Sequence, residues 1–404
     1  MIQIQDFSEQ QKIAPVWRLA FRSFFLAASA FSILAVLYWL LFLNGIAYLP
    51  MVIPTSIWHG HEMIFGFVAT IAIGFLLTAS QTWTGLRSIH GKPLMVLFLL
   101  WLTARVALFF AFYDLIFYIA LIAEFSFWSY SIGFLAYLLV KSGNQRNLLF
   151  IPMLSIMMLL DLSILISAKS GEVMLAKHLM NTAVLVFTML ITLLGGRVIP
   201  FFTRNGLKNI GLEISNNNAA TWIEIITPVL TFITVISYFS SYFVDLGFVI
   251  TWLFVLCAVF HCVRVIAWQG HKTFKVPLLW SLHLSYLLLP LGFAVMAASL
   301  YSVQLMFSDA LHLITIGTMA LMILAMMSRV SLGHTGRPLQ INSIIAWAYL
   351  CILMAAIVRV CLPLIGEHQI AWLVSGILWS IGFGIFVFKY APILLKARVD
   401  GAIG

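Results

Sequence analysis

Hydrophobic residues run through this chain in twelve long blocks, and polar residues are largely confined to the gaps between them. The blocks fall at 19–43, 57–80, 93–112, 116–140, 148–168, 174–195, 219–241, 245–268, 277–300, 306–328, 342–363 and 369–391. A helix that crosses ~30 Å of hydrocarbon needs about 20 apolar residues, and each block supplies a length of that order. Helices are also the natural spanning element, because every backbone N–H and C=O must find its partner inside the segment. The pattern therefore predicts an all-α protein, a polytopic membrane helix bundle of about twelve transmembrane helices.

The gaps carry a second pattern. Basic residues gather in alternate connections: Lys12, Arg18 and Arg22; Arg87 and Lys92; Lys141 and Arg146; Arg197, Arg204 and Lys208; Arg264, Lys272 and Lys275; Arg329 and Arg337; Lys389, Lys396 and Arg398. The opposite connections hold Asp114, Glu172, Asp245, Asp309 and Glu367, with Lys169 and Lys177 as minor exceptions. Short loops rich in Lys and Arg stay in the cytoplasm, and only an even number of spans reproduces the alternation. Both termini are thus expected to be cytoplasmic. Residues 1–18 read as a cytoplasmic and interfacial segment without a cleavable signal, 19–391 as the transmembrane domain, and 392–404 as a cytoplasmic tail. The longest connection, 196–218, divides the domain into halves at 19–195 and 219–391.

Composition agrees with this picture. Of 404 residues, 63% are hydrophobic and 9% charged, and mean hydropathy is +1.08. A soluble domain keeps roughly a quarter of its residues charged. The net charge of +9 is spread over seven loops, so it marks topology and no nucleic-acid partner is expected. Cys257, Cys262, Cys351 and Cys361 lie within apolar blocks and form no C-x-x-C pair, which suits small buried hydrophobes better than a thiolate metal site.

The exceptions to apolarity carry the candidate chemistry. Ionisable groups inside spans are costly and mark functional positions by default, and neutral imidazole is the commonest ligand for haem iron and copper. His59, His61 and His312 fall near the outer ends of the second and tenth blocks, with Glu62 three residues after His59 and so on its helical face. Arg105, Glu124, Asp161 and His178 lie in the outer halves of their blocks. His261, His283 and His334 lie towards the inner face, near Arg197, Arg264 and Arg329. His59 and His61 are two residues apart, about 200° around a regular helix, so a regular helix does not aim both at one metal. The alternative for each histidine is a satisfied hydrogen bond inside the bundle.

Several segments resemble the NnrS family: PVWRLAFRSFFL at 15–26, WHGHEMIFGF at 58–67, GFLLTASQTWTG at 74–85, GGRVIPFFT at 195–203, LWSLHL at 279–284 and LHLITIGTMALMILAMMSRVSLGHTGRP at 311–338. The similarity runs through nearly the whole chain. One departure is Ser23, where the family usually has proline. The resemblance implies a multi-pass protein of the bacterial inner membrane that contains haem, of b-type, and copper. It also implies a role in the response to nitric oxide, nitrosative stress and denitrification. Carried over position by position, the histidine motifs fall on His59, His61, His283, His312 and His334, with His261 in a related place. Haem propionates need cationic partners, and Arg22, Arg105, Arg197 and Arg329 are the candidates. Glu62 is placed to orient a metal-bound imidazole. The expected partners are the lipid bilayer and nitric oxide or metal-nitrosyl species.

Two other readings fit the span count. Twelve helices split six and six also describe a secondary transporter, and the stretch Gly85–Lys92 has some of the glycine and arginine signature of that class without its Asp. A haem–copper redox enzyme also has twelve spans with histidine-bound metals, but the adjacent histidine pair expected for its copper is missing. No reaction is assignable from sequence, and absorbance of bound haem separates the readings.

Overall fold

A computed structural model describes residues 12–48, 51–208, 211–212 and 221–402. Among these residues twelve helices are long and apolar enough to cross a membrane: α1 (Ala20–Leu43), α2 (Thr55–Thr84), α3 (Gly91–Phe109), α4 (Asp114–Lys141), α5 (Phe150–Lys169), α6 (Val173–Lys208), α7 (Ile223–Ser240), α8 (Gly247–Ala267), α9 (Pro277–Ser299), α10 (Phe307–His334), α11 (Ser343–Cys361) and α12 (His368–Leu394). Local signals set several ends. Pro277 opens α9, where its missing N–H costs nothing. Asn342 caps α11 by accepting from the Ile344 N–H at 3.2 Å. Gly85 takes a left-handed φ of 67° to stop α2.

One boundary differs from the sequence reading. The sixth helix does not end near residue 195; it continues to Lys208 and carries Arg197, Arg204 and Lys208 on helical backbone. Pro200 sits inside it without ending it, since proline forfeits one ladder bond and tertiary packing offsets the loss. That packing is close. A Cβ on Gly206 would lie 2.7 Å from Leu279 of α9, and one on Gly196 would collide with the Arg264 guanidinium of α8. Residues 209–210 and 213–218 of the expected loop lie outside the described residues, as do residues 1–11 of the N-terminal segment.

The chain forms two compact units. The first takes residues 1–180, 327–339 and 383–404; the second takes 181–326 and 340–382. In the first, α2 packs against α1 and α4, and α4 packs against α3 and α5. In the second, α7, α8, α9 and α10 pack in sequence, and α11 joins α10. The apolar windows of α2 and α10 are 78% buried, against 33% in α7 and α8. The WHGHE and LHL segments therefore sit on interior helices, while α7 and α8 give broad faces to lipid.

Helix α2 is not uniform. It winds as an α-helix to His61, opens into a π-helix over Glu62–Ala69, and returns to α at Thr70. Helix α10 repeats the pattern, with a π-helical turn over Leu313–Ala320 directly after His312. Such wide turns leave backbone groups off the regular ladder and recur at functional sites. In α2 the Gly66 carbonyl accepts a bond from the Trp101 indole at 3.2 Å.

Candidate metal centre

The wide turn of α2 brings His61 and Glu62 into a buried polar cluster. His61 is 0% exposed. Its Nδ1 lies 3.1 Å from Glu62 Oε1 and its Nε2 2.6 Å from Asp161 Oδ1 on α5. The Trp128 indole of α4 donates to the other Asp161 oxygen at 2.6 Å. Arg105 of α3 donates to Glu62 Oε2 at 2.8 Å and also pairs with Glu124 of α4. Gly66 permits the guanidinium to enter, because a Cβ there would lie 2.6 Å from Arg105 Nη1 and 2.8 Å from Phe31.

Charge within this cluster does not balance. Three carboxylates face one guanidinium and one imidazole, and every one of these side chains is at most 2% exposed. With neutral His61 and ionised acids the group is two positive charges short. Uncompensated charge in a low-dielectric interior is expensive, so protons or a cation must make up the difference. One ligand atom from each of His61, Glu124 and Asp161 lies within 4.8 Å of the others. One imidazole nitrogen with two carboxylate oxygens is a donor set for a borderline divalent ion such as copper(II), and Trp128 holds the Asp161 carboxylate in place. The residues fit such an ion. Glu62 touches His61, its chain neighbour, whereas sequence spacing put it on the face of His59. His59 lies flat against Trp39 of α1, with centroids 4.5 Å apart and planes at 8°.

The second unit holds a different arrangement. His261 of α8, also 0% exposed, has Nε2 3.0 Å from the Thr231 hydroxyl of α7 and Nδ1 2.9 Å from the Tyr286 hydroxyl of α9. Arg264 donates to Tyr286 at 2.8 Å and to Glu224 at 3.0 Å, and Trp268 donates to Glu224 at 2.9 Å. His283 of α9 has Nε2 2.8 Å from the Thr203 hydroxyl. Its Nδ1 is buried without a hydrogen bond among the described residues. That nitrogen faces Gly270, where a Cβ would stand 2.7 Å away. The Gly270 backbone therefore packs directly against the His283 ring, and a metal cofactor at Nδ1 requires this segment to shift.

The remaining expected residues are dispersed. His312 belongs to the second unit, and its Nδ1 donates to the Ser308 carbonyl at 2.5 Å. His334 belongs to the first unit, next to the Phe21 ring at 5.5 Å. Arg22 is fully buried and donates to the Leu394 and Lys396 carbonyls at 2.9 and 2.8 Å, closing the C-terminal end of α12. Arg105 is engaged by Glu62 and Glu124. Arg197 is exposed and Arg329 partly buried. The sequence reading missed two partners. Asp309, taken for a loop acid, is 0% exposed and paired with Arg359 of α11; an arginine in an apolar span was the signal that a buried acid exists. Glu224, the partner of Arg264, was signalled in the same way.

Twelve spanning helices with a histidine–carboxylate cluster inside the first unit define the class: a polytopic helical membrane protein with a buried metal-competent centre. The NnrS protein family model matches residues 15–398. The chain belongs to the NnrS family. No curated protein matches it in a sequence search.

Proposed function

We propose that this protein is a haem- and copper-binding multi-pass protein of the bacterial cytoplasmic membrane that counters nitric oxide or the metal-nitrosyl species it forms. Membership of the NnrS family supports the role. The observation that carries the metal reading is the buried charge deficit around His61, Glu124 and Asp161. In this reading copper is held by those three, His283, whose Nδ1 has no hydrogen bond among the described residues, is the candidate haem ligand, and His59, His312 and His334 are secondary candidates. His261 has a protein partner on each ring nitrogen and serves the hydrogen-bond network instead. Of the four candidate arginines, Arg197 lies in the same unit as His283 and is the propionate partner of this reading, since Arg105 is held by carboxylates and Arg22 by backbone carbonyls.

A bound haem or copper supplies an open coordination position for a diatomic gas. The chain's own residues do the rest. Asp161 fixes the imidazole of His61, Trp128 fixes Asp161, and Arg105 with Glu62 sets the local charge. The apolar shell excludes water, and nitric oxide, small and apolar, reaches the site through lipid. The distribution of basic loops favours cytoplasmic termini; reporter fusions after Lys92 and Arg146 are expected to read inside, and those at Tyr48 and Asp245 outside.

The test is metal and haem content per purified protein, with Soret absorbance as the haem readout. His61→Ala and Asp161→Asn are expected to lose copper and keep the Soret band, and His283→Ala the reverse. A colourless, copper-free wild-type protein purified from haem- and copper-replete cells overturns the proposal and favours a transporter. Unchanged content in all three variants removes the assignment of these residues.

A further inference from the structure

Three distant stretches of the chain meet at one end of the first unit: the lead into α1, the turn after α10 and the C-terminal tail. The tail is tied to both of the others. Arg22 of α1 donates to the Leu394 and Lys396 carbonyls at 2.9 and 2.8 Å. Arg398 donates to the His334 carbonyl at 3.0 Å, and the Val399 N–H to the Thr335 carbonyl at 3.2 Å. Gly336, with a φ of 73°, lets Asp400 close over this turn, since a Cβ there would lie 2.6 Å from its carboxylate. The frame gathers positive charge. Arg22 is 0% exposed, and Arg18, Arg337 and Arg398, all half-buried, lie near enough to act on its charge. Of those three only Arg398 holds a carboxylate, that of Asp400. Arg18 bonds the Ile13 carbonyl at 3.0 Å and Arg337 the Thr335 carbonyl at 3.5 Å. A carbonyl satisfies an N–H without cancelling its charge, so like charges crowd here uncompensated.

We propose that this end of the first unit binds the phosphate group of an anionic phospholipid, with Arg18 and Arg337 on the phosphate oxygens and the buried charge of Arg22 behind them. The planar guanidinium fork matches phosphate oxygens two at a time. Arg22 has committed Nη1 to the tail, so its part is electrostatic, and the bonds that hold it keep the site preformed. Two observations favour a lipid over free phosphate. Leu339, Leu395 and Val399, on the same turn and tail, are 43%, 50% and 61% exposed, which sets apolar surface for acyl chains beside the charges. The site also lies where the first apolar run begins. There Trp17 is half-buried against Phe98 at 5.3 Å, an aromatic at the level of the headgroups. Basic pockets between helices on the cytoplasmic side take phospholipid headgroups, and the distribution of basic loops puts this end on that side. Lys141 and Arg146, on another loop of the same unit, are exposed and serve as the comparison.

Native mass spectrometry of the delipidated full chain, titrated with dioleoyl phosphatidylglycerol, reads the site as a first, saturating adduct. Dioleoyl phosphatidylcholine, whose phosphate is balanced by its own choline, should bind roughly tenfold more weakly or worse. An interfacial arginine is worth roughly fivefold in anion affinity, so Arg18→Gln combined with Arg337→Gln should weaken the first adduct about 25-fold. Lys141→Gln combined with Arg146→Gln removes the same charge from the same side and should leave it unchanged. Wild-type affinity in the first pair, or an equal loss in the second, overturns the site. Displacement of the lipid by millimolar inorganic phosphate would name free phosphate as the occupant and overturn the lipid. A Soret band lost in the Arg18 and Arg337 pair would assign the charge to haem carboxylates and overturn it as well. Without lipid, that pair should unfold no lower than wild type, because it relieves repulsion around Arg22. A lower midpoint would mean that the protein itself balances these arginines, and the proposal fails.

Discussion

His61 and His261 are both fully buried imidazoles inside a membrane bundle, one in each unit, and their surroundings differ in kind. His61 lies between two carboxylates, Glu62 and Asp161; His261 lies between two hydroxyls, Thr231 and Tyr286. At His261 the bonding fixes the proton. Thr231 donates to the Thr227 carbonyl at 2.8 Å, so it accepts from Nε2–H; Arg264 donates to Tyr286, so Tyr286 donates to Nδ1. A neutral ring with an assigned tautomer satisfies every partner, which is the bland outcome for a buried histidine. At His61 a neutral ring cannot donate to both carboxylates, and among the described residues Arg105 alone offsets the three acids of the cluster, so additional protons or a cation are required. Burial alone therefore does not distinguish a metal-competent histidine from a structural one. The charge on its neighbours does.

The sharpest way to break this contrast is to remove each cluster's guanidinium. Arg105→Ala strands Glu62 and Glu124 in the interior and is expected to destabilise the protein by roughly 3–5 kcal/mol, read by thermal unfolding in detergent. Arg264→Ala leaves a single acid, Glu224, whose side chain is one-third exposed, and should cost clearly less. Equal losses would show that the two clusters are electrostatically alike.

Next in size is copper affinity. Asp161→Asn keeps shape and removes a ligand carboxylate charge, so affinity should fall by more than the roughly 10–100-fold that loss of an orienting carboxylate typically gives. Titration of the apo protein with copper measures this, and a wild-type affinity would move the site elsewhere. Tyr286→Phe is the matching change at His261. It leaves an imidazole nitrogen and an Arg264 N–H unpaired, at about 1–3 kcal/mol, with copper affinity unaltered.

The smallest effect is expected outside the membrane, where charge meets solvent. Asp400 in the C-terminal tail is held down from 3.8 to about 2 by Arg398, which bonds both its oxygens. A carboxylate with a lowered folded value contributes stability above its unfolded value, and that contribution fades as pH falls from 3.8 towards about 2. Asp400→Asn should remove only this acid-side component, leaving the unfolding temperature at pH 7 within experimental scatter, as exposed ion pairs give little. A large loss at neutral pH would show that the tail pair is a structural latch.

The sequence by itself determined the architecture. Length and continuous apolarity make twelve spans unavoidable, since neither a soluble surface nor another backbone form is open to such blocks. It also named His61, Glu62, Arg105, Glu124 and Asp161 as polar residues that lipid does not tolerate. It left open which of them meet, because a linear pattern gives depth along a helix but not rotation about neighbouring ones. Spacing set Glu62 beside His59; the π-helical turn after His61, invisible to a 3.6-residue period, rotates every later side chain of α2 away from its regular position. Continuation of α6 past Pro200 was hidden for a similar reason, since proline and paired glycines read as an end until Leu279 and Arg264 pack against Gly206 and Gly196. The partners of Arg264 and Arg359 were implied by their cost in an apolar span, and only the packing of α8 on α7 and α11 on α10 selected Glu224 and Asp309.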